Sequence, residues 1–134
     1  MFTFIVKNKI ILETTVINND NPHFGTNGGN NTTDRIFLLS IEELLKYFGD
    51  SGQWENPAPV SRWWINDRYN NARIARDTAG SASWWWLRSP ANSSSFAALV
   101  GSFGYLCLRS GFVSSNSGGV RTALWLNIES VNIP

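Results

Sequence analysis

The clearest hydrophobic pattern in the chain is helical and lies at residues 41–48. Apolar residues recur there at the spacing of one helix face: Ile41, Leu44, Leu45 and Phe48. Ser40 and Glu43 stand three residues apart, which is the spacing of a capping box, and Gly49 provides a C-terminal stop. This segment therefore predicts an amphipathic helix that begins after Ser40.

Short strands are predicted on both sides of this helix. A first strand is predicted near the N-terminus, where apolar residues occupy every second position at Phe2, Phe4 and Val6. Residues 35–40 predict a short buried strand. The stretch "SASWWWLRSP" predicts a strand that ends at Pro90. Residues 61–80 are mixed, and their second half is either a helix or an irregular segment.

The C-terminal third reads as short strands separated by Gly and Ser. Its last strand, "VRTALWLNIES", has four candidates for burial: Val120, Ala123, Trp125 and Ile128. Helical signals early and strand signals late predict an α+β fold, with a mainly antiparallel sheet and one or two helices. The length of 134 residues fits a single domain spanning 1–134.

Composition excludes several classes of partner. The net charge of +1 gives no electrostatic reason for binding nucleic acid or acidic membranes. No stretch is long and apolar enough for a membrane span, and Lys7, Lys9 and Glu13 interrupt the N-terminal apolar segment, so no signal peptide is predicted. We therefore expect no nucleic-acid partner and no membrane insertion.

Catalysis and metal binding have little support in the residues. The single His, His23, lies in the Asn- and Gly-rich loop 18–34, where turn chemistry explains its neighbours. The single Cys, Cys107, has no activating neighbour other than Arg109, and buried structural thiols are common. No EF-hand spacing and no Cys/His cluster occurs. We predict no catalytic residue, no cofactor and no metal.

Tryptophan is abundant, with seven residues, three of which are consecutive. On a strand, Trp84 and Trp86 share one face and Trp85 takes the other. We predict that Trp84, Trp86 and Trp125 hold the scaffold. Arg88 and Arg121 are predicted to be structural as well, bonded to backbone carbonyls or to acidic partners such as Asp34 and Asp67.

The stretch "VGSFGYLCLRSGF" at residues 100–112 has an unusual pattern. If residues 103–109 form a strand, Leu106 and Leu108 point inward and a chemically mixed set points outward: Phe103, Tyr105, Cys107 and Arg109. Aromatic rings and guanidinium groups are enriched at binding hot spots, whereas a merely wet sheet face carries Thr, Lys or Glu. The pattern predicts a binding surface, and a homo-oligomer interface is the main competing interpretation.

Four stretches together resemble a known family. They are "NPHFGTNGGNNTTDRIFLLSIEELLKYFG", "NNARIARD", "WWWLRSP" and "GGVRTALWLNIES", and they span about Glu13 to Ser130. The chain resembles a bacterial and phage domain family of unknown function with a C-type lectin fold. That family is related to formylglycine-generating-enzyme-like domains and to the variable proteins of diversity-generating retroelements.

The resemblance implies a retroelement-diversified surface. Randomised adenines in an Asn codon cannot yield Lys, Glu, Gln, Met or Trp, and residues 89–124 contain none of these five. Nine positions stand where relatives often have Asn or Tyr: Leu99, Gly101, Ser102, Phe103, Tyr105, Cys107, Leu108, Arg109 and Phe112. The implied function is display of a variable ligand-binding surface, without turnover, to a protein or a cell-surface glycan. A structural subunit of a phage tail or surface appendage is the alternative.

The chain departs from the family in ways that limit what is carried over. Relatives usually have a further stretch before the segment matching Glu13, so the resemblance implies a truncated or minimal domain. Thr122 replaces the usual Pro of "GVRPAL", a local backbone change. Formylglycine-type chemistry needs paired Cys, and the "WIND" at residues 64–67 is not the lectin calcium motif. Enzymatic activity is therefore the least favoured interpretation, and calcium-dependent sugar binding is not carried over. The resemblance is compatible with a cell-surface, secreted or virion location.

Overall fold

The computed structural model describes residues 11–57, 59, 63–109 and 111–127. The elements are short and run in the following order: β1 Thr14–Val16, β2 Thr32–Asp34, β3 Phe37–Leu38, α1 Ile41–Phe48, β4 Trp64–Ile65, α2 Asn70–Arg73, β5 Ala75–Arg76, β6 Ala82–Ser83, β7 Trp85–Pro90, β8 Ala97–Val100, β9 Leu106–Cys107 and β10 Thr122–Ala123. All strand pairs among these elements are antiparallel. The predicted α+β class with few helices is confirmed.

Helix α1 forms where the sequence predicts it. The Ser40 hydroxyl accepts from the Glu43 backbone N–H at 3.1 Å, and the Glu43 carboxylate accepts from the Ser40 backbone N–H at 2.9 Å. These two bonds satisfy N–H groups that a helix start leaves without intrahelical partners. Gly49 ends the helix at a φ of +115°, and a side chain there would overlap the Tyr69 ring.

The central sheet has four strands in the order β4-β9-β8-β7. Its register aligns one residue from each strand in a row across the sheet: Ile65, Leu106, Val100 and Trp85. All four are fully buried and pack in one core with Leu44 and Leu45 of α1. The Trp85 indole N–H donates to the Arg73 carbonyl at 3.0 Å, so the largest core side chain also has its polar atom satisfied.

The expected burial of Trp125 is wrong, and the fully buried residue of the tryptophan triplet is Trp85. Trp85 is buried, whereas Trp84 and Trp86 are half-buried, because Trp85 shares the face of Val100 and Leu106. Trp125 is 46% exposed and packs edge-on to the Tyr47 ring at 6.3 Å, so it lies at the surface of the core rather than inside it.

The last predicted strand is shorter than expected. β10 covers Thr122 and Ala123 and pairs with β3, and Ala123 packs against the core. Val120 is 70% exposed, so the prediction that it is buried is wrong. It lies outside the two-residue pairing and next to the bridge that Gly119 makes with Trp85. The predicted strand at Phe2 to Val6, and Ile128, lie outside the described residues.

The two arginines predicted to be structural behave differently. Arg88 donates to the carbonyls of Leu38 at 2.7 Å and Ile17 at 3.0 Å, and it forms an ion pair with Glu43. Its bonding to carbonyls is confirmed, although its acidic partner is Glu43 and not Asp34.

Arg121 has no hydrogen bond within the described part of the chain; its guanidinium instead packs against the rings of Phe48 and Trp85. The prediction that it bonds a carbonyl or an acid is wrong there. Asp67, the other suggested acid, pairs at 3.0 Å with buried Arg73.

Candidate binding surface

The outer face of the central sheet carries a second row of residues, one from each strand. Trp64 of β4 pairs with Cys107 of β9, Cys107 pairs with Leu99 of β8, and Leu99 pairs with Trp86 of β7. Each of these residues is the sequence neighbour of a core residue in the inner row, as the alternation of a strand requires. The strand β9 thus separates Leu106 inside from Cys107 outside, as predicted.

Cys107 nevertheless does not reach solvent. It is 0% exposed, so the prediction of an accessible thiol is wrong. The physical reason is its position between two larger neighbours: Trp64 and Leu99 flank it directly on the adjacent strands. Paired residues of this kind have Cβ atoms about 4.5–5.5 Å apart, so their side chains cover a small one between them. Cys107 supports the surface and is not part of its accessible area.

Leu108 is also excluded from the accessible surface. It is buried in the hydrophobic core, and its backbone N–H donates to the Trp63 carbonyl at 2.9 Å. Its inward orientation confirms the strand argument and contradicts its place among the nine candidate positions.

The turn between β8 and β9 sets the edge of the outer face. The Gly101 N–H donates to the Tyr105 carbonyl at 2.8 Å, and the Gly104 N–H donates to the Gly101 carbonyl at 2.9 Å. Gly104 has a φ of +85°, a conformation that favours glycine. The predicted strand at 103–109 therefore begins only at Leu106. Phe103 lies on the turn and is 77% exposed.

Gly101 lies directly under the aromatic ring of Tyr105. Gly101 is buried, and a Cβ atom on it would overlap that ring. Gly101 has no side chain that could contact a ligand. Its role is to leave room for the Tyr105 ring close to the backbone. Ser102, the next candidate, is half-buried in the same turn.

Two exposed tryptophans that the sequence argument did not include complete this edge. The Trp64 ring meets the Tyr105 ring edge-on, with centroids 4.9 Å apart. The Arg109 guanidinium lies over the Trp63 ring at 3.9 Å, a cation–π contact. The pair "WW" at 63–64 was a visible signal, but only the pairing of β4 with β9 brings it beside residues 105–109.

Phe112 and the segment before it lie next to the outer face, at the start of β8. Gly111 packs so closely on Leu99 and Trp86 that a side chain there would touch both. The exposed Phe112 ring is tilted against the Phe96 ring, with centroids 4.4 Å apart. The candidate position Phe112 is therefore accessible, at the sheet end where Gly111 packs on Leu99.

We call this surface the aromatic face and define it by seven residues: Trp63, Trp64, Leu99, Phe103, Tyr105, Arg109 and Phe112. Leu99 and Tyr105 are half-buried and the other five are exposed. Arg109 is the single charge among the seven. The seven contain no carboxylate, imidazole or thiol, so the surface offers apolar contact, ring stacking and one cation.

The single imidazole, that of His23, is engaged in structural contacts. The His23 imidazole Nε2 lies 2.8 Å from the Trp54 carbonyl oxygen, and its ring packs edge-on to the Trp54 ring at 4.4 Å. Across the described ranges, no group of three or more His, Cys, Asp or Glu side chains is placed to hold a metal ion. His23 thus anchors the loop that contains it to the segment around Trp54.

Within the described ranges, no helix has the length and apolarity needed to cross a membrane.

Comparison with known proteins gives one match. No curated protein and no solved structure matches the chain. Residues 4–128 match the model of a family whose description is Domain of unknown function (DUF6273), a range that begins before Glu13 and takes in the whole aromatic face. The chain belongs to this family of unknown function.

Proposed function

We propose that the protein is a binding module whose aromatic face holds another macromolecule without chemical turnover. The observation that carries this proposal is the exposure of several large apolar rings around the outer row of the central sheet, with Phe103 and Phe112 the most open. An exposed apolar patch of this kind marks an interaction site, because water contact with so many rings is unfavourable.

The composition of the face favours a protein as the ligand. Tyr, Trp, Phe and Arg are the residue types that dominate the energetics of protein interfaces. Arg109 is preoriented by the Trp63 ring beneath it, so little side-chain freedom is lost when it meets an acidic group. A glycan would need several convergent polar groups, and Arg109 and the Tyr105 hydroxyl are the side-chain polar groups prominent on this face.

We extend the proposal to a C-type-lectin-like scaffold with a retroelement-diversified surface. Its support is the position of the nine candidate residues: five contribute side chains to the aromatic face, and two, Gly101 and Ser102, form its edge turn. The short antiparallel strands and few helices are compatible with such a scaffold. Cys107 and Leu108 are the two exceptions, since both are buried.

Binding is tested with a library. Codons for Leu99, Phe103, Tyr105, Arg109 and Phe112 are randomised and the displayed proteins are selected against purified lysozyme. We expect folded clones that bind lysozyme with micromolar or better affinity. The matched library randomises five exposed positions on the β5–β6 side: Thr78, Ala79, Gly80, Ser81 and Ala82. Binders arising equally from both libraries would contradict a special role for the aromatic face.

The diversification hypothesis is tested in DNA. We expect a nearby template repeat, beside a reverse transcriptase gene, that differs from this coding sequence only at adenines. The differences should fall on the codons of Leu99, Phe103, Tyr105, Arg109 and Phe112 and spare those of Val100 and Leu106, whose side chains fill the core. Differences spread over all four bases, or equally frequent at the core codons, would contradict it.

Self-association is the test that separates a ligand surface from a structural subunit. Light scattering at increasing concentration should give the mass of one chain if the face serves another molecule. A stable oligomer that Phe103→Asp dissociates would instead show that the face is buried between identical chains.

A further inference from the structure

Two cavities outside the aromatic face meet at Arg121. One is an open cleft of about 810 Å³ bounded by residues 74–77, 83–85 and 119–121. The other is an apolar groove of about 310 Å³ between α1 and the segment 121–125. Arg121 is the residue that lines both. Its guanidinium therefore lies where the polar cleft and the apolar groove adjoin.

The guanidinium of Arg121 contacts aromatic rings but no hydrogen-bond acceptor in the described part of the chain. The Phe48 and Trp85 rings lie 4.9 Å and 5.0 Å from its central carbon. Its Nη1 atom is shielded from solvent and bonds no acceptor in the part of the chain that the structure describes. A guanidinium carries five N–H donors in a planar fork, and aromatic contacts leave those donors without acceptors. Arg121 is thus positioned by its packing, and because Nη1 is shielded, Nε and Nη2 are the donors that a molecule in the cleft can reach.

The acids that line the cavities are already occupied. Glu43 lines the groove, but its carboxylate binds Arg88 at 3.1 Å and the Ser40 backbone N–H at 2.9 Å. Asp77 lines the cleft, and its Oδ1 accepts from two backbone N–H groups, each at 2.9 Å. Arg76 adds a second guanidinium to the cleft, with Nη1 donating to the Gly80 carbonyl at 3.1 Å. The charges lining the cleft are therefore net positive.

We propose that the cleft is a second binding site, which takes a small molecule with a carboxylate group on a flat apolar body. The carboxylate is planar and accepts two parallel N–H bonds from one guanidinium, and the Nε and Nη2 groups of Arg121 provide such a pair. The apolar body contacts Trp84 and Val120, which line the same cleft. This site is separate from the aromatic face, and its ligand does not depend on what that face binds.

Benzoate is a suitable probe, with benzamide as its neutral analogue of the same shape. Amide resonances of Gly119 and Val120 are followed by NMR during titration at constant ionic strength. We expect a saturable shift with benzoate, with a dissociation constant on the order of 1 mM, and at least tenfold weaker binding of benzamide. Equal shifts with the two probes, or no saturation by about 50 mM benzoate, would overturn the proposal. Inorganic phosphate binding as tightly as benzoate would also overturn it, because the site would then recognise charge alone.

Two variants locate the site on Arg121. Arg121→Lys keeps the positive charge but removes the planar fork, and we expect at least tenfold weaker benzoate binding. Because that change also alters packing on Phe48, Ser83→Asp provides a second test that leaves Arg121 in place: a carboxylate within the cleft should weaken benzoate at least fivefold. Arg68→Lys, at an exposed site outside both cavities, is the control and should bind as the wild type. Unchanged affinity in both Arg121→Lys and Ser83→Asp would place benzoate elsewhere.

Discussion

At the scale of single residues, Gly101 and Tyr105 occupy one small volume at the edge of the aromatic face. The Tyr105 ring can lie over the backbone and meet Trp64 because Gly101 has no side chain. Gly104, three residues on, is constrained differently, since a Cβ there would overlap the Asn70 backbone at a positive φ. One glycine thus positions a ring, and the other maintains the turn.

The two glycines should respond differently to a methyl group. Gly101→Ala displaces the half-exposed Tyr105 ring, which can move, so we expect a loss of about 1 kcal/mol in the free energy of unfolding. In a Tyr105→Ala background the same change should cost less than half as much. Gly104→Ala meets backbone and a strained φ, and should cost at least about 2 kcal/mol. Urea denaturation of the four variants measures this, and equal costs of Gly101→Ala in both backgrounds would contradict the shared volume.

The burial of Cys107 predicts an unreactive thiol. In native buffer, a disulfide reagent such as DTNB should modify Cys107 only at the rate of unfolding, because the reagent cannot reach the buried sulfur. Phe103→Cys is the matched comparison: its new thiol at an open position should react within seconds, in one equivalent, ahead of Cys107. Rapid native-state modification of the wild type would show that Trp64 and Leu99 do not cover the thiol.

At the scale of elements, an element stabilised by residues near it in sequence was predicted accurately, whereas one stabilised by pairing with other strands was not. Helix α1 was predicted with its cap and its stop, because Ser40, Glu43 and Gly49 act within one or two turns. β9 was predicted five residues too long at 103–109, since its ends depend on pairing with β8 and with β4, which lies about forty residues earlier in the sequence. For the same reason, the sequence analysis did not place Trp63 and Trp64 on the binding surface. No local sequence pattern indicates that β4 pairs with β9.

The capped start of α1 should make stability depend on pH. Burial by itself raises the pKa of the Glu43 carboxyl, but hydrogen bonds from Arg88 and Ser40 outweigh this, so the pKa lies below its ordinary value of 4.5. A lowered folded pKa stabilises the fold above the unfolded value and loses that stabilisation as the pH falls through the folded pKa. Glu43→Gln should therefore cost about 1–3 kcal/mol at pH 7, and the deficit should shrink below pH 4.5.

Denaturation curves between pH 7 and pH 3 measure this deficit. Ser40→Ala is the control, because it removes the hydroxyl cap, at a cost of about 1 kcal/mol, but keeps the carboxylate and the backbone N–H that binds it. Its pH dependence should stay closer to that of the wild type than to that of Glu43→Gln, because the Ser40 hydroxyl is the smallest of the contributions that lower the Glu43 pKa. A Glu43→Gln deficit that stays constant down to pH 3 would show that the ion pair with Arg88 contributes nothing through charge.

At the scale of the whole molecule, the central sheet divides the chain into a side that folds it and a side that is available for contact. Ile65, Leu106, Val100 and Trp85 connect the sheet to α1, whereas the aromatic face has no element packed over Phe103 or Phe112 in the described ranges. Under the proposed function, stability and recognition therefore belong to opposite surfaces of the same four strands.

This division predicts opposite effects of substitution on the two sides. Arg109→Ala should change the free energy of unfolding by no more than about 0.5 kcal/mol, since its contact is an exposed one with Trp63. Val100→Ala, a fully buried change on the other side of the sheet, should cost about 2–3 kcal/mol. Urea denaturation compares them, and similar losses for both variants would mean that Arg109 belongs to the folding core.

The alternation of inner and outer rows has a consequence for how such a surface can evolve. In β8 and β9 each core codon is the immediate neighbour of a surface codon, so inserting or deleting one residue would exchange the two sets and expose Val100 or Leu106. Lineages that remodel this surface must therefore keep the number of residues within β8 and within β9 constant. Change in this segment should consist of replacement at fixed length, with indels confined to loops that belong to neither strand.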